Sequence, residues 1–389
     1  MASQVPRAQV PGARCQARCQ ARCQMPDARC QSRAIPSIAC YLVPGTWHLA
    51  PGTCLMTIRF VEEARVLAVS GWEIPAALTL PANRDESTAL PSAILLVPGS
   101  LFSDVNGDYP TWNSFPHVYA HLAHQLAARG HAVYRFAKLG PGTGSVAVDQ
   151  DAAARVRTWD GRLAIATAAL DAMHRELETR GVVVERTIVA GHSEGSVVAS
   201  RVAVSDRARE IDGVVLLAGP SIGILGIMRE QIGFGVPPDQ LDDARRRLDE
   251  AIAFIRRGEP IPASLANGSG MGIGALASMP DEGRRYMRDV DATDPLRVAS
   301  EISQPVLVVQ GGDDSSVPQH HGEALRDALV ARDGGESRTE YLFVPDVTHM
   351  FKVVPPEVTG PDAFGYPGPT DERITDGIDS WIRGLTIST

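Results

Sequence analysis

Beyond residue 54 this sequence of 389 residues contains no cysteine: all six, Cys15, Cys19, Cys23, Cys30, Cys40 and Cys54, fall near the N-terminus. Thiol nucleophiles, CxxC redox pairs and a disulfide framework are therefore excluded from the rest of the chain. A long hydrophobic run is missing too. No apolar stretch approaches the roughly 18 residues that a membrane-crossing helix needs, so a soluble protein without membrane contact is expected. Nor is there an excess of positive charge. Residues 1–55 carry six arginines against Asp27, but the remaining 31 basic and 45 acidic residues leave −14 for the body and −9 overall. Such a body is poorly suited to nucleic acid, whose phosphates demand clustered cations. What is present, 44% apolar and 21% charged residues, suits a globular enzyme, and the length allows one large α/β core with an insertion.

Within residues 1–55 the word Ala-Arg-Cys-Gln occurs three times in tandem from Ala13 and once more from Ala28. It has no amphipathic period and offers little to a core, so a disordered low-complexity segment is expected. There is no apolar stretch of signal-peptide type, which leaves the cytoplasm as the default location. The cysteines are spaced Cx3C or wider, without a zinc knuckle. This segment reads as lying outside the working protein, with Met56 as the natural start, and a chain beginning there is expected to keep full activity.

From Ile58 the pattern changes. Two strands, Ile58 to Val69 and Ile74 to Leu80, precede short continuous apolar runs at Ala93–Val97, Ala132–Phe136, Thr187–Ala190, Val214–Leu217, Val306–Val309 and Tyr341–Val344. Such runs mark parallel strands buried on both faces. Helical patterns at Val118–Arg129, Ala153–Arg180, Ser193–Val204, Gly322–Arg332 and Arg373–Trp381 lie between most of them. The expected fold is α/β: a mostly parallel, doubly wound sheet opened by an antiparallel hairpin. Residues 221–298 break the rhythm with helical patches only, and read as a helical cap inserted between core segments 56–220 and 299–389. Its apolar residues, among them Ile222, Leu225, Ile227 and Met228, suit an acyl pocket or packing against the core equally well.

Gly191-His192-Ser193-Glu194-Gly195 follows a strand and opens a helix. A serine at such a turn is lifted clear of the sheet, and flanking glycines avoid collisions with neighbouring strands. A second match, Gly219-Pro220-Ser221-Ile222-Gly223, also follows a strand, but Pro220 restricts the bend and the next stretch makes a poor first helical turn. Ser193 is thus the candidate nucleophile. It needs a base, and the base needs an orienting acid. Of the later histidines, His349 leaves the last sheet strand, whereas His320 and His321 read as solvated first-turn helix residues. For the acid, Asp313 and Asp314 both follow Val306–Gln310, with Asp314 preferred; Asp346 is too near His349 in sequence. The order Ser, Asp, His is that of elbow hydrolases. Backbone N–H groups of Glu194 and of the turn Pro98-Gly99-Ser100-Leu101, Ser100 in particular, are the candidate oxyanion donors.

These motifs resemble those of the α/β-hydrolases, over roughly residues 58 to 386. Gly191–Gly195 resembles the GHSEGG form of the elbow. Leu96-Val97-Pro98-Gly99-Ser100 through Gly107-Asp108 is similar to a turn of esterases and acyl hydrolases related to dienelactone hydrolase and the prolyl oligopeptidases. Gly311 to Pro318 resembles the GxxDxxVP acid loop, whose register supports Asp314. Where many relatives read DKRGxGxS, Ala137-Lys138-Leu139-Gly140 lacks the Asp and Arg, and Pro98 stands where many carry His. The resemblance implies an α/β-hydrolase fold with an inserted cap and a serine hydrolase acting on small-molecule carboxylic esters. Peptidases and thioesterases use the same triad, and some binding proteins share the fold without catalysis, although the intact Ser, Asp and His argue against the last.

Other signals are weaker. Gly140–Ser145 matches no phosphate-binding loop, the spacing of Asp104, Asn106 and Asp108 departs from a calcium loop, and His117, His121 and His124 read as a polar helix face. No cofactor or metal is expected, and the oligomeric state is not legible.

Overall fold

The computed structural model describes residues 59–386 apart from 86, 235 and 267–270. The repetitive segment 1–55, and with it the expected start at Met56, lies outside the described residues. Among those described, no helix is long and apolar enough to cross a membrane.

The chain enters through a hairpin, β1 (Phe60–Val69) and β2 (Trp72–Pro81), paired antiparallel over their full length. The strands β3 (Ala93–Val97), β4 (Ala132–Phe136), β6 (Thr187–His192), β7 (Gly213–Leu217), β8 (Val306–Gly311) and β9 (Thr339–Val344) follow, with a two-residue β5 (Val146–Ala147) pairing the edge of β2. The order across the sheet is β1-β2-β4-β3-β6-β7-β8-β9, parallel from β4 to β9. Every residue of β3, β4, β6, β7 and β8 is buried. Apolar side chains on both faces are what a strand covered on both sides requires.

Helices α1 (Val118–Ala128), α2 (Trp159–Thr179), α3 (Glu194–Ala203), α4 (Ile224–Gln231), α5 (Leu241–Arg257), α6 (Asp281–Asp291), α7 (Gln319–Val330) and α8 (Glu372–Gly384) are the principal ones. The helix expected across 153–180 is broken. Its first part is a separate helix, Gln150–Arg155, and α2 starts afresh where the Thr158 side chain accepts from Gly161 N–H at 2.9 Å. This is an N-cap, a local bond that periodicity does not reveal.

From β3 the chain winds one way to β4 and then crosses back to β6, so β3 and β6 flank the point at which the winding reverses. The crevice outside their carboxyl ends is where open α/β sheets bind ligands. Between β7 and β8 the described residues form helices only. Leu248, Ala251, Ile252 and Ile255 on α5 share one face and pack with Leu225, Ile273 and Leu276 in a small core of their own. Leu225 is therefore packing, and so are Ile224, Met228 and Ile232 against it, whereas Ile222 is 36% exposed.

Candidate active site

Ser193 stands at the carboxyl end of β6 as the residue that opens α3, with φ 55° and ψ −126°. Non-glycine residues in such a region are strained and are held there by their surroundings. Here the Ser193 N–H donates to Leu217 O at 2.8 Å and its carbonyl accepts from Ser196 N–H at 2.9 Å. A Cβ on Gly195 would lie 2.5 Å from Val97 O and 2.6 Å from Pro98 O. The elbow thus nests directly against the turn that follows β3. Gly99 closes the approach from the other side, where a Cβ would come within 3.1 Å of Ser193 Cβ. Leu101, Ser193 and Ala218 take positive φ just past the carboxyl ends of β3, β6 and β7, and Phe351 does so in the loop after β9. Backbone strain is concentrated on one edge of the sheet.

His349 sits in the loop after β9, and its Nδ1 is 2.8 Å from Asp314 Oδ2. Both side chains are buried. The other Asp314 oxygen accepts the backbone N–H groups of Ser316 and Val317 at 2.9 and 2.8 Å, which fixes the carboxylate on its own loop. The two loops are zipped together: Gly312 N–H donates to Val344 O and Asp313 N–H to Val347 O. That same register exposes the Asp313 side chain, while Asp346 is exposed and pairs with Arg373 at 2.7 Å. Among the described residues, no hydrogen bond joins Ser193 Oγ to His349, and an unliganded serine–histidine pair is commonly this loose.

In the turn after β3, Gly99 N–H donates to Tyr119 Oη at 2.8 Å. Its donor is thereby occupied, and Ser100 supplies the next N–H along. The Glu194 N–H belongs to the first turn of α3, where backbone donors lack intrahelical acceptors.

Residues 94–359 match the alpha/beta hydrolase family. The chain belongs to that family. It is 23% identical over 326 residues to the esterase EstD of Thermotoga maritima, an alignment spanning 82% of this chain and 67% of that protein. Among solved structures, it is similar to Est1E from Butyrivibrio proteoclasticus, at TM-score 0.48 and 16% identity over 83% of this chain and 98% of that one. It is likewise similar to a proline iminopeptidase from Mycobacterium smegmatis, at TM-score 0.48 and 16% identity over 82% and 98%. The fold is that of an α/β-hydrolase, a mixed sheet opened by an antiparallel hairpin.

Several residues around Ser193 escape sequence reasoning. His192 is completely buried between Tyr119, His349 and Phe351. Its Nε2 is 2.9 Å from the His349 carbonyl, which can only accept, so Nε2 carries the proton and Nδ1 accepts from Tyr119 Oη at 3.1 Å. A directional chain therefore runs from Gly99 N–H through Tyr119 and His192 to the loop of His349. Burial, followed by the neighbouring His349 ring, pulls His192 down to about 3 and keeps it neutral. Beneath the elbow, the Glu194 side chain is buried with Lys138, Arg162 and Tyr286. Lys138, one of these partners, comes from the Ala137-Lys138-Leu139 stretch that departs from the relatives' DKRGxGxS.

His321, expected to be solvated, is instead completely buried because Ser221 and Glu230 take up both ring nitrogens, which makes a second, separate contact. His321 Nδ1 accepts from Ser221 Oγ at 2.7 Å and Ser221 N–H at 3.2 Å, and its Nε2 meets Glu230 of α4 at 2.9 Å. Neither His320 nor His321 approaches the Asp314 carboxylate by a hydrogen bond among the described residues.

Proposed function

We propose that this chain is a serine hydrolase of carboxylic esters. The observation that carries the reading is the His349–Asp314 bond: with Nδ1 held by the carboxylate at 2.8 Å, Nε2 is left as the basic nitrogen, on the same sheet edge as the raised Ser193. Ser193 Oγ attacks the acyl carbon and gives its proton to His349 Nε2. The resulting oxyanion is held by the N–H groups of Ser100 and Glu194, and losing one such donor typically costs about 10²–10³-fold in rate. Collapse expels the alcohol, which takes the proton from His349, and leaves an acyl-enzyme. Water then attacks that acyl group while His349 accepts the water's proton, and return of the proton to Ser193 Oγ releases the acid. Asp314 orients the ring throughout and stabilises its charged form.

Residues 221–298 act in this reading as a cap over the carboxyl edge. The EstD relative supports ester substrates over other acyl compounds. Labelling with a fluorophosphonate, read by peptide mass, is expected on Ser193 and on no other serine. Assays of a p-nitrophenyl acyl ester, an acyl thioester and a peptide amide side by side are expected to rank the ester first. A label on Ser221 instead, or full ester hydrolysis by Ser193→Ala, sinks the reading.

A further inference from the structure

Glu194 poses an electrostatic problem. A buried carboxylate immediately after the nucleophile puts a full negative charge beside the place where an oxyanion would develop, and burying a charge is costly unless it is paired. Three groups answer it. Glu194 Oε1 lies 3.1 Å from Lys138 Nζ, 3.1 Å from Tyr286 Oη and 3.4 Å from Arg162. Burial alone would raise the Glu194 carboxyl, but Lys138 and Arg162 hold it below its ordinary value. Two cations against one carboxylate leave the cluster with an excess charge of +1, the sign that favours an oxyanion.

The same groups reach both sides of the site. Arg162 donates to Pro98 O at 2.8 Å, just ahead of Ser100. Tyr286 comes from α6 in the helical excursion and lies edge-on to Trp159, whose Nε1 donates to Thr293 Oγ1 at 2.8 Å. The excursion is thus docked through the carboxylate that adjoins Ser193.

We propose that Lys138 and Tyr286 are positioning residues: by holding the Glu194 carboxylate between sheet and excursion, they set the Glu194 N–H and, through Arg162, the Pro98–Ser100 turn for oxyanion binding. This rests on the reading of Ser193 as nucleophile. Tyr286 donates the bond that needs the excursion in place, so docking of the excursion and completion of the site are coupled. Lys138 supplies the excess charge. Burial, followed by the repulsion of Arg162, pulls its ammonium down to about 8. The groups facing it are Glu194, Arg162 and the phenol of Tyr286, which burial pushes up and keeps neutral. Above that pH Lys138 loses its proton, Glu194 and Arg162 balance each other, and the excess charge vanishes.

The test is the pH profile of kcat on a short acyl ester, with KM measured alongside. The full-length protein is expected to lose kcat as pH rises through about 8. Lys138→Arg keeps the charge at all accessible pH, and its kcat is expected to stay level to about pH 9. Tyr286→Phe is expected to lower kcat about tenfold with little change in KM. Retention of the alkaline limb by Lys138→Arg, or kcat within about twofold of the unaltered protein in a folded Tyr286→Phe, overturns the proposal. If Tyr286→Phe does not fold, the Lys138→Arg profile decides alone. Fluorophosphonate labelling separates the two levels: no label on Ser193 of the unaltered protein removes the nucleophile reading and this one with it, whereas labelling with an unmoved profile removes this one only.

Discussion

Two turns of this chain carry the same Gly-x-Ser-x-Gly pattern, and both follow a buried parallel strand. At the first, Ser193 has a positive φ, is half-buried and opens a ten-residue helix. At the second, Ser221 is 6% exposed and its hydroxyl is committed to His321, which is in turn committed to Glu230. The second set contains a serine, a histidine and a carboxylate in contact, so the inventory of residue types does not separate the two. Geometry does. In the first, the carboxylate takes Nδ1 and leaves Nε2 unencumbered; in the second, the lone pair facing the serine also accepts a backbone N–H, and the carboxylate belongs to α4. The second arrangement ties the first helix of the excursion to the core. Gln231 Nε2, bonded to Ser316 O at 2.7 Å, reinforces that tie beside the Asp314 loop.

The sharpest way to break this comparison is to remove each hydroxyl. Ser193→Ala is expected to lower kcat on a p-nitrophenyl ester by about 10⁴-fold or more while melting like the unaltered protein. Ser221→Ala should change kcat less than about tenfold and cost about 1 kcal/mol of stability for the lost bond. Steady-state rates and thermal melts check both, and a reversal of the two phenotypes would exchange the roles of the turns.

The carboxylates give the next largest contrast. Asp314→Asn keeps the shape but donates to, rather than accepts from, the His349 ring, and a loss of about 10⁴-fold in kcat is expected. Glu230→Gln alters only the tie to the excursion. Its expected effect is about 1 kcal/mol in urea unfolding, with kcat nearly retained. Equal losses of kcat in the two variants would mean that the His321 chain belongs to the chemistry.

The difference between the turns also marks how far the sequence could be read. Strands β3, β4, β6, β7 and β8 are legible because burial on both faces leaves an unbroken apolar run, and Ser193 and Asp314 are legible as candidates because each follows such a run; the candidate His349 follows β9, expected to be buried on both faces but only partly buried. The chain from Ser221 is not legible, since His321 lies 100 residues from Ser221 and 91 from Glu230 and meets each only through the fold. The same holds beneath the elbow, where Lys138 and Tyr286 reach Glu194 across 56 and 92 residues. From the sequence, Glu194 offers only its backbone N–H. The break at Thr158 was hidden because a cap is a single local bond inside an otherwise helical pattern.

The smallest expected contrast concerns the two histidines that support these turns. Both are neutral in the fold, and burial is the leading cause for each. For His192, folded at about 3 against an ordinary value near 6.5, the unfolded chain binds the proton more readily. Stability is therefore fully retained above about pH 6.5 and is lost as pH falls toward the folded value. His321 shifts in the same direction, but Glu230 opposes the shift by favouring the charged ring. His192→Gln is accordingly expected to flatten the acid side of the stability curve between about pH 6.5 and 4 more than His321→Gln does. Urea unfolding of each variant at several pH values measures the slopes. A larger flattening for His321→Gln would mean that the ring behind Ser221, and not the one beneath the elbow, is the more strongly held against protonation.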